Sequence, residues 1–182
     1  MSLRPVHRMQ RFFRSVFSTA PSDADAAWAS QFMSETEQRV FDRMPPVDRS
    51  HSIAVTKAVA DHLDRLDLSV EDPDARWILA AALLHDVGKS VAGLGTYGRV
   101  VATLSEAFGG ADMASVWADK RGMTRKVGLY LQYPTLGADL LAIAGADERV
   151  IAWAAEHHRP EEEWNIPLDA GRLLTVADDG RL

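Results

Sequence analysis

The sequence predicts an all-α fold, a single-domain helical bundle. Three observations carry that expectation. Apolar residues recur at helical spacing through most of the 182 residues. No stretch alternates apolar and polar residues for long enough to make a strand. Proline and glycine punctuate the helical pattern, with no internal repeat and no low-complexity linker. A chain of this length, with 47% hydrophobic and 25% charged residues, can bury one substantial core.

The elements follow in order. Ala26 to Met44 reads as one helix, stopped by Pro45-Pro46. Asp48 or Ser50 can cap a second helix reaching about Leu66, with Ile53, Ala54, Val59, Ala60 and Leu63 on its buried face. Asp72-Pro73 opens a third helix, and Gly88 suits a left-handed cap at its end. Three glycines, Gly93, Gly95 and Gly98, mark a loop over 90–98. A helix over Arg99 to Phe108 ends at Gly109-Gly110, and further helices fit 111–118, 124–132, 135–144, 147–158 and 168–178. The five tryptophans read as core or rim packing.

Composition excludes several kinds of function. The chain has no cysteine, so it has no disulfide, thiolate metal site or cysteine nucleophile. Any metal must be held by His, Asp, Glu or water, which favours Mn, Mg, Co, Ni, Fe or Zn. The longest apolar run is too short to span a bilayer. A formal charge of −6 argues against a broad surface for a nucleic-acid duplex. The charge is uneven. Residues 1–22 hold Arg4, Arg8, Arg11 and Arg14 and no acid, a net +4, which leaves −10 for residues 23–182. This basic segment also carries Phe12, Phe13, Val16 and Phe17. It reads as an N-terminal helix or tail capping the core, or as an amphipathic helix for an anionic surface. No continuous apolar stretch follows the arginines, so no secretory signal is expected, and the expected location is cytoplasmic.

The chemistry concentrates in His85-Asp86-Val87-Gly88-Lys89, which closes the apolar run Trp77 to Leu84. Burying an imidazole and a carboxylate side by side is unfavourable unless something offsets their desolvation. A divalent cation does so, because it favours neutral imidazole and ionised carboxylate together. Other candidate ligands also stand beside apolar helical stretches. They are His51, His157-His158 after Val150 to Glu156, and Asp178 after Leu173 to Ala177. Facing helices of a bundle build metal sites in this way.

The order His51, His85-Asp86, Asp178, with the pair continuing as Val-Gly-Lys, resembles the HD superfamily of metal-dependent phosphohydrolases over roughly residues 48–180. The resemblance implies an all-α domain of that type over 23–182. It also implies one divalent metal held by His51, His85, Asp86 and Asp178. Lys89 is then expected to contact a scissile phosphate or assist the leaving group, and His157 to serve catalysis. The implied substrate is a small phosphorylated, nucleotide-like molecule, and a homo-oligomer is compatible with this reading. Arg159 is a further candidate for binding phosphate, although Glu161 to Glu163 beside it offer an ordinary surface salt bridge.

Two departures from the family pattern matter. Two-metal members carry a His-Pro dipeptide after the His-Asp pair, and here the matching stretch begins Tyr133-Pro134. A second metal would keep Asp86, His157 and His158 alone, so the second site is expected to be weak or absent. A phenol with pKa near 10 is mostly protonated at neutral pH, so Tyr133 is expected to line the pocket or pack in the core. Members that cleave cyclic di-nucleotides carry a Gly-Tyr-Pro element after the double histidine, and it is missing here. The stretch Ser90 to Gly122 looks like an insertion. With Arg99, Lys120, Arg121, and nearby Arg125 and Lys126, it is either a lid over an anionic substrate or a solvated helical excursion. Two alternatives to the phosphohydrolase are a di-iron oxygenase on the same scaffold and a non-catalytic nucleotide-binding sensor.

Overall fold

The computed structural model describes residues 20–92 and 114–182, and no strand occurs among them. The fold is all-α. Helices α1 (Asp23–Ser30), α2 (Glu35–Phe41) and α3 (Pro46–Ala60) lead into α4 (Arg76–Leu84) and the single turn α5 (Lys89–Ala92). After the segment outside the described residues come α6 (Ala114–Ala118), α7 (Gly122–Leu131), α8 (Tyr133–Ala144), α9 (Glu148–Glu156) and α10 (Leu168–Asp178). Short 3₁₀ turns cover Leu63–Leu66, Pro73–Ala75 and Glu161–Glu163. The helix expected over 99–108, most of the basic segment 1–22 and most of the 90–122 insertion lie outside the described residues.

Three boundaries differ from the sequence expectation. The single helix over Ala26–Met44 is two helices. Ser34 leaves the helical path to cap α2: its hydroxyl accepts from the Glu37 N–H at 3.3 Å, and its own N–H donates to the Glu37 carboxylate at 2.7 Å. This capping box satisfies orphan groups at the helix start, and buried Phe32 and Met33 anchor the break in the core. The second helix starts at Pro46, whose missing N–H is harmless in the first turn, so neither Asp48 nor Ser50 is its cap, and it stops at Ala60. The third difference concerns Gly88, which is not left-handed. Consecutive i→i+3 bonds, Lys89 N–H to Asp86 O at 3.0 Å and Val91 N–H to Gly88 O at 3.0 Å, carry the chain from α4 straight into α5.

Helix α4 is the axis of the core. Every residue from Trp77 to Leu84 is buried, as expected for a helix that is apolar all round. Its neighbours are α3, α9, α10 and α2. Leu79, Leu83 and Leu84 are fully buried, each stabilising the fold by about 1.5–3 kcal/mol. Helix α8 packs on α9 and α5 and turns into the α8–α9 connection through Gly145, whose φ of 74° suits glycine. Helices α6 and α7 pair with one another around Val127, Trp117 and Tyr130, forming a small satellite cluster.

Candidate metal centre

A helix buried on all sides delivers its C-terminal residues into the interior. His85 is therefore 3% exposed and Asp86 1% exposed. Helix α3 packs on both α4 and α10, which brings His51 and the final residue of α10, Asp178, to the same place. His51 Nε2 lies 3.0 Å from Asp178 Oδ1, and His85 Nε2 lies 3.6 Å from the same oxygen. Ligand atoms of His51, His85 and Asp178 all fall within 4.8 Å of one another, so these three could hold one metal ion. Asp86 is not part of that mutual trio. Its Oδ2 lies 3.4 Å from His85 Nε2, and its Oδ1 lies 3.9 Å from His157 Nε2.

The imidazoles are aimed by their backbone. His85 Nδ1 donates to Ala82 O at 3.0 Å, and His157 Nδ1 is shared between Ala154 O at 3.1 Å and Trp153 O at 3.2 Å. A carbonyl can only accept, so in each neutral ring Nε2 bears the lone pair, and it faces the cluster. Backbone bonds of this kind fix tautomer and orientation for metal-ligating imidazoles.

The residues fit a cation. His85 Nε2 and Asp86 Oδ1 are buried and have no hydrogen-bond partner among the described residues. Leaving one such group unsatisfied costs about 1–3 kcal/mol, and a divalent ion would satisfy both. The donor set of nitrogen and oxygen suits Mg, Mn, Fe, Co, Ni or Zn.

The side chains of the cluster shift one another's proton affinities. Burial pushes the His85 imidazolium down, but the carboxylates of Asp86 and Asp178 outweigh it and hold its pKa up to about 10. Burial and the neighbouring charge of His85 push His157 down to about 4. Asp86 is raised by burial but held well below the usual carboxylate range by Lys89 and His85. Lys89 is lowered by burial, yet Asp86 leads the charges that keep it above its ordinary value.

A match to the HD domain family covers residues 49–179. The chain belongs to the HD-domain family. HD domains bind divalent metals, and the family falls in a superfamily of metal-dependent, hydrolase-type proteins. No curated protein and no solved structure matches the chain.

The remaining sequence candidates divide. Lys89 donates to Asp86 and stands 4.9 Å from the centroid of the Tyr133 ring. His157 is buried against the cluster, its ring 5.2 Å from that of His85. His158 is largely exposed, but its Nε2 bonds the Tyr133 hydroxyl. Arg159 is exposed and makes no ion pair among the described residues with any of Glu161 to Glu163, the run expected to pair with it; Glu161 instead pairs with Arg172 at 3.0 Å.

Tyr133, expected to line the pocket or pack in the core, is buried, and its hydroxyl bonds both His157, at 3.2 Å, and His158. Other contributors were not read from the sequence. Buried Asp48 adds its negative field at Lys89. Glu156, also buried, ties the histidine-bearing turn to the following loop, accepting from Asn165 N–H at 2.7 Å and Asn165 Nδ2 at 2.6 Å. Trp164 Nε1 adds bonds to Glu156 O at 3.2 Å and Arg159 O at 3.1 Å. A buried-position glutamate at the end of an amphipathic helix was the available signal for this clamp.

Proposed function

We propose that this HD domain is a metal-dependent phosphohydrolase that cleaves a phosphate ester of a small nucleotide-like substrate. The observation that carries the reading is the convergence of His51, His85 and Asp178, beside two buried orphan atoms on His85 and Asp86. His51, His85, Asp86 and Asp178 would hold the ion, with Asp86 joining the trio through a side-chain rotation. A divalent cation supplies polarisation of a phosphoryl oxygen and a water of lowered pKa. Lys89 neutralises charge on the phosphate, and His157 assists proton movement at the leaving oxygen. Burial of His85, Asp86 and His157 excludes bulk water and strengthens each of these charge interactions.

One metal is favoured over two. The Tyr133 phenol engages both Nε2 atoms, on His157 and His158, that a second ion would need. We assign residues 23–182 to the HD-type unit and 1–22 to a separate basic segment, in a cytoplasmic protein. No helix among the described residues is long and apolar enough to cross a membrane.

The test is metal analysis of the purified protein followed by a substrate panel. Nucleoside monophosphates, diadenosine polyphosphates, cyclic nucleotides and an aryl phosphate are assayed with Mn, Mg, Co and Ni. One divalent ion per chain and metal-dependent phosphate release are expected. Two irons with oxygen consumption would overturn the proposal, as would nucleotide binding with no turnover across the panel.

A further inference from the structure

The cluster already contains a cation of its own. The Lys89 ammonium donates to Asp86 Oδ2, three residues before it in the chain, and its side chain is only 13% exposed. The other oxygen of Asp86 is buried without a hydrogen bond. Asp86 is thus the one proposed ligand that does not join the trio of His51, His85 and Asp178, and it is the one held by an ammonium. From that one position the ammonium also stands over the Tyr133 ring, 4.9 Å from its centroid. The electron-rich ring face attracts a cation there. A lysine's flexible four-carbon stem lets the ammonium leave Asp86 without backbone displacement.

We propose that Lys89 is a built-in counter-ion that a metal ion displaces from Asp86, and that the released ammonium then becomes the seat for a tetrahedral dianion. This rests on the metal-dependent hydrolase reading and deepens it by coupling metal and phosphoryl binding. A divalent ion and an ammonium repel one another when they compete for one buried carboxylate. Metal uptake therefore works against Lys89. An anion that settles beside the released ammonium favours the displaced state and strengthens metal binding in turn. The two ligands must help each other by the same factor, because coupling between binding sites is reciprocal.

The opposite expectation comes from a lysine that only touches substrate, which would leave metal affinity alone. The probes are Zn²⁺ and sulfate, titrated by calorimetry into chelator-stripped full-length protein and its Lys89→Met variant. Methionine keeps much of the stem and removes the charge. Without sulfate, Lys89→Met should bind Zn²⁺ about tenfold or more tightly than the wild type, because a competing charge is gone. It should also lose most of the factor by which sulfate strengthens Zn²⁺ binding. Unchanged or weaker Zn²⁺ affinity in the variant overturns the displacement while leaving the metal centre intact. No Zn²⁺ binding by either protein overturns both readings.

A second measurement needs no variant. The chain has four lysines, Lys57, Lys89, Lys120 and Lys126. Reductive methylation followed by peptide mass spectrometry should modify Lys89 faster with Zn²⁺ bound than without it. Equal or slower modification of Lys89 overturns the proposal.

Discussion

Gly88 and Gly137 meet backbone to backbone, at the point where the turn after α4 crosses the first half of α8. A Cβ on Gly88 would fall 1.9 Å from Tyr133 O and 2.7 Å from Gly137 N, whereas one on Gly137 would come no nearer than 3.1 Å to Gly88. The reason for glycine at 88 is therefore close approach, with no positive φ involved. The contact also fixes Asp86 and Lys89, which flank Gly88 in the chain, relative to Tyr133.

Gly88→Ala should destabilise the protein by about 3 kcal/mol or more, because backbone cannot yield as a side chain can. Gly137→Ala should cost about 1 kcal/mol beyond any gain in helix propensity, since its neighbours need to shift only slightly. Thermal unfolding of the two variants checks the asymmetry. Equal losses would mean that the helices slide freely past one another.

His85→Ala and Asp178→Ala should each abolish metal retention and activity together. Each deletes a member of the trio, and Asp178 is the oxygen shared by both imidazoles. Metal content after gel filtration, beside circular dichroism to confirm the fold, is the measurement. Stoichiometric metal in either variant would refute the assignment.

The metal-free protein should be most stable near pH 6.5. His85 binds its proton more tightly folded than unfolded, with a pKa raised from 6.5 to about 10. Its contribution is complete below pH 6.5 and is lost as pH rises toward 10. His157 goes the other way, lowered from 6.5 to about 4. Between those values the unfolded chain binds the extra proton, so stability falls as pH drops through that window. Bound metal replaces the His85 proton, so the alkaline decline should disappear. Melting temperatures across pH, in chelator and in excess Zn²⁺, test both limbs.

Tyr133→Phe should cost about 1–2 kcal/mol of stability, because one buried hydroxyl serves two imidazoles. Tyr133→His should raise Zn²⁺ stoichiometry from about one to about two per chain, since a ligand then replaces the phenol that engages His157 and His158. Calorimetric stoichiometry is the readout, and a value unchanged in Tyr133→His would show that Tyr133 does not limit the second site.

Asn165→Ala should cost about 1–3 kcal/mol, because the buried Glu156 carboxylate loses its Nδ2 donor. Turnover should fall with metal content unchanged, since the loosened turn carries His157 and none of the trio. Loss of metal in this variant would show that the turn supports the trio as well.

The amino-acid order alone determined the fold class and nominated the candidate ligands. Helical periodicity is a local property, and α4 is apolar on every face, so its burial and the burial of His85-Asp86 behind it were legible without coordinates. The break at Ser34 was not, because a capping box competes with a helical pattern that runs straight through it. Tertiary structure alone decided how the candidates divide. His51, His85 and Asp178 converge because α3 lies against both α4 and α10, and that packing depends on contacts between residues far apart in the chain. Packing of α8 on α5 and α9 likewise places a phenol beside two imidazoles and makes Gly88 a crossing point. Spacing along one strand of sequence carries no record of which neighbour a side chain will meet across a helix interface.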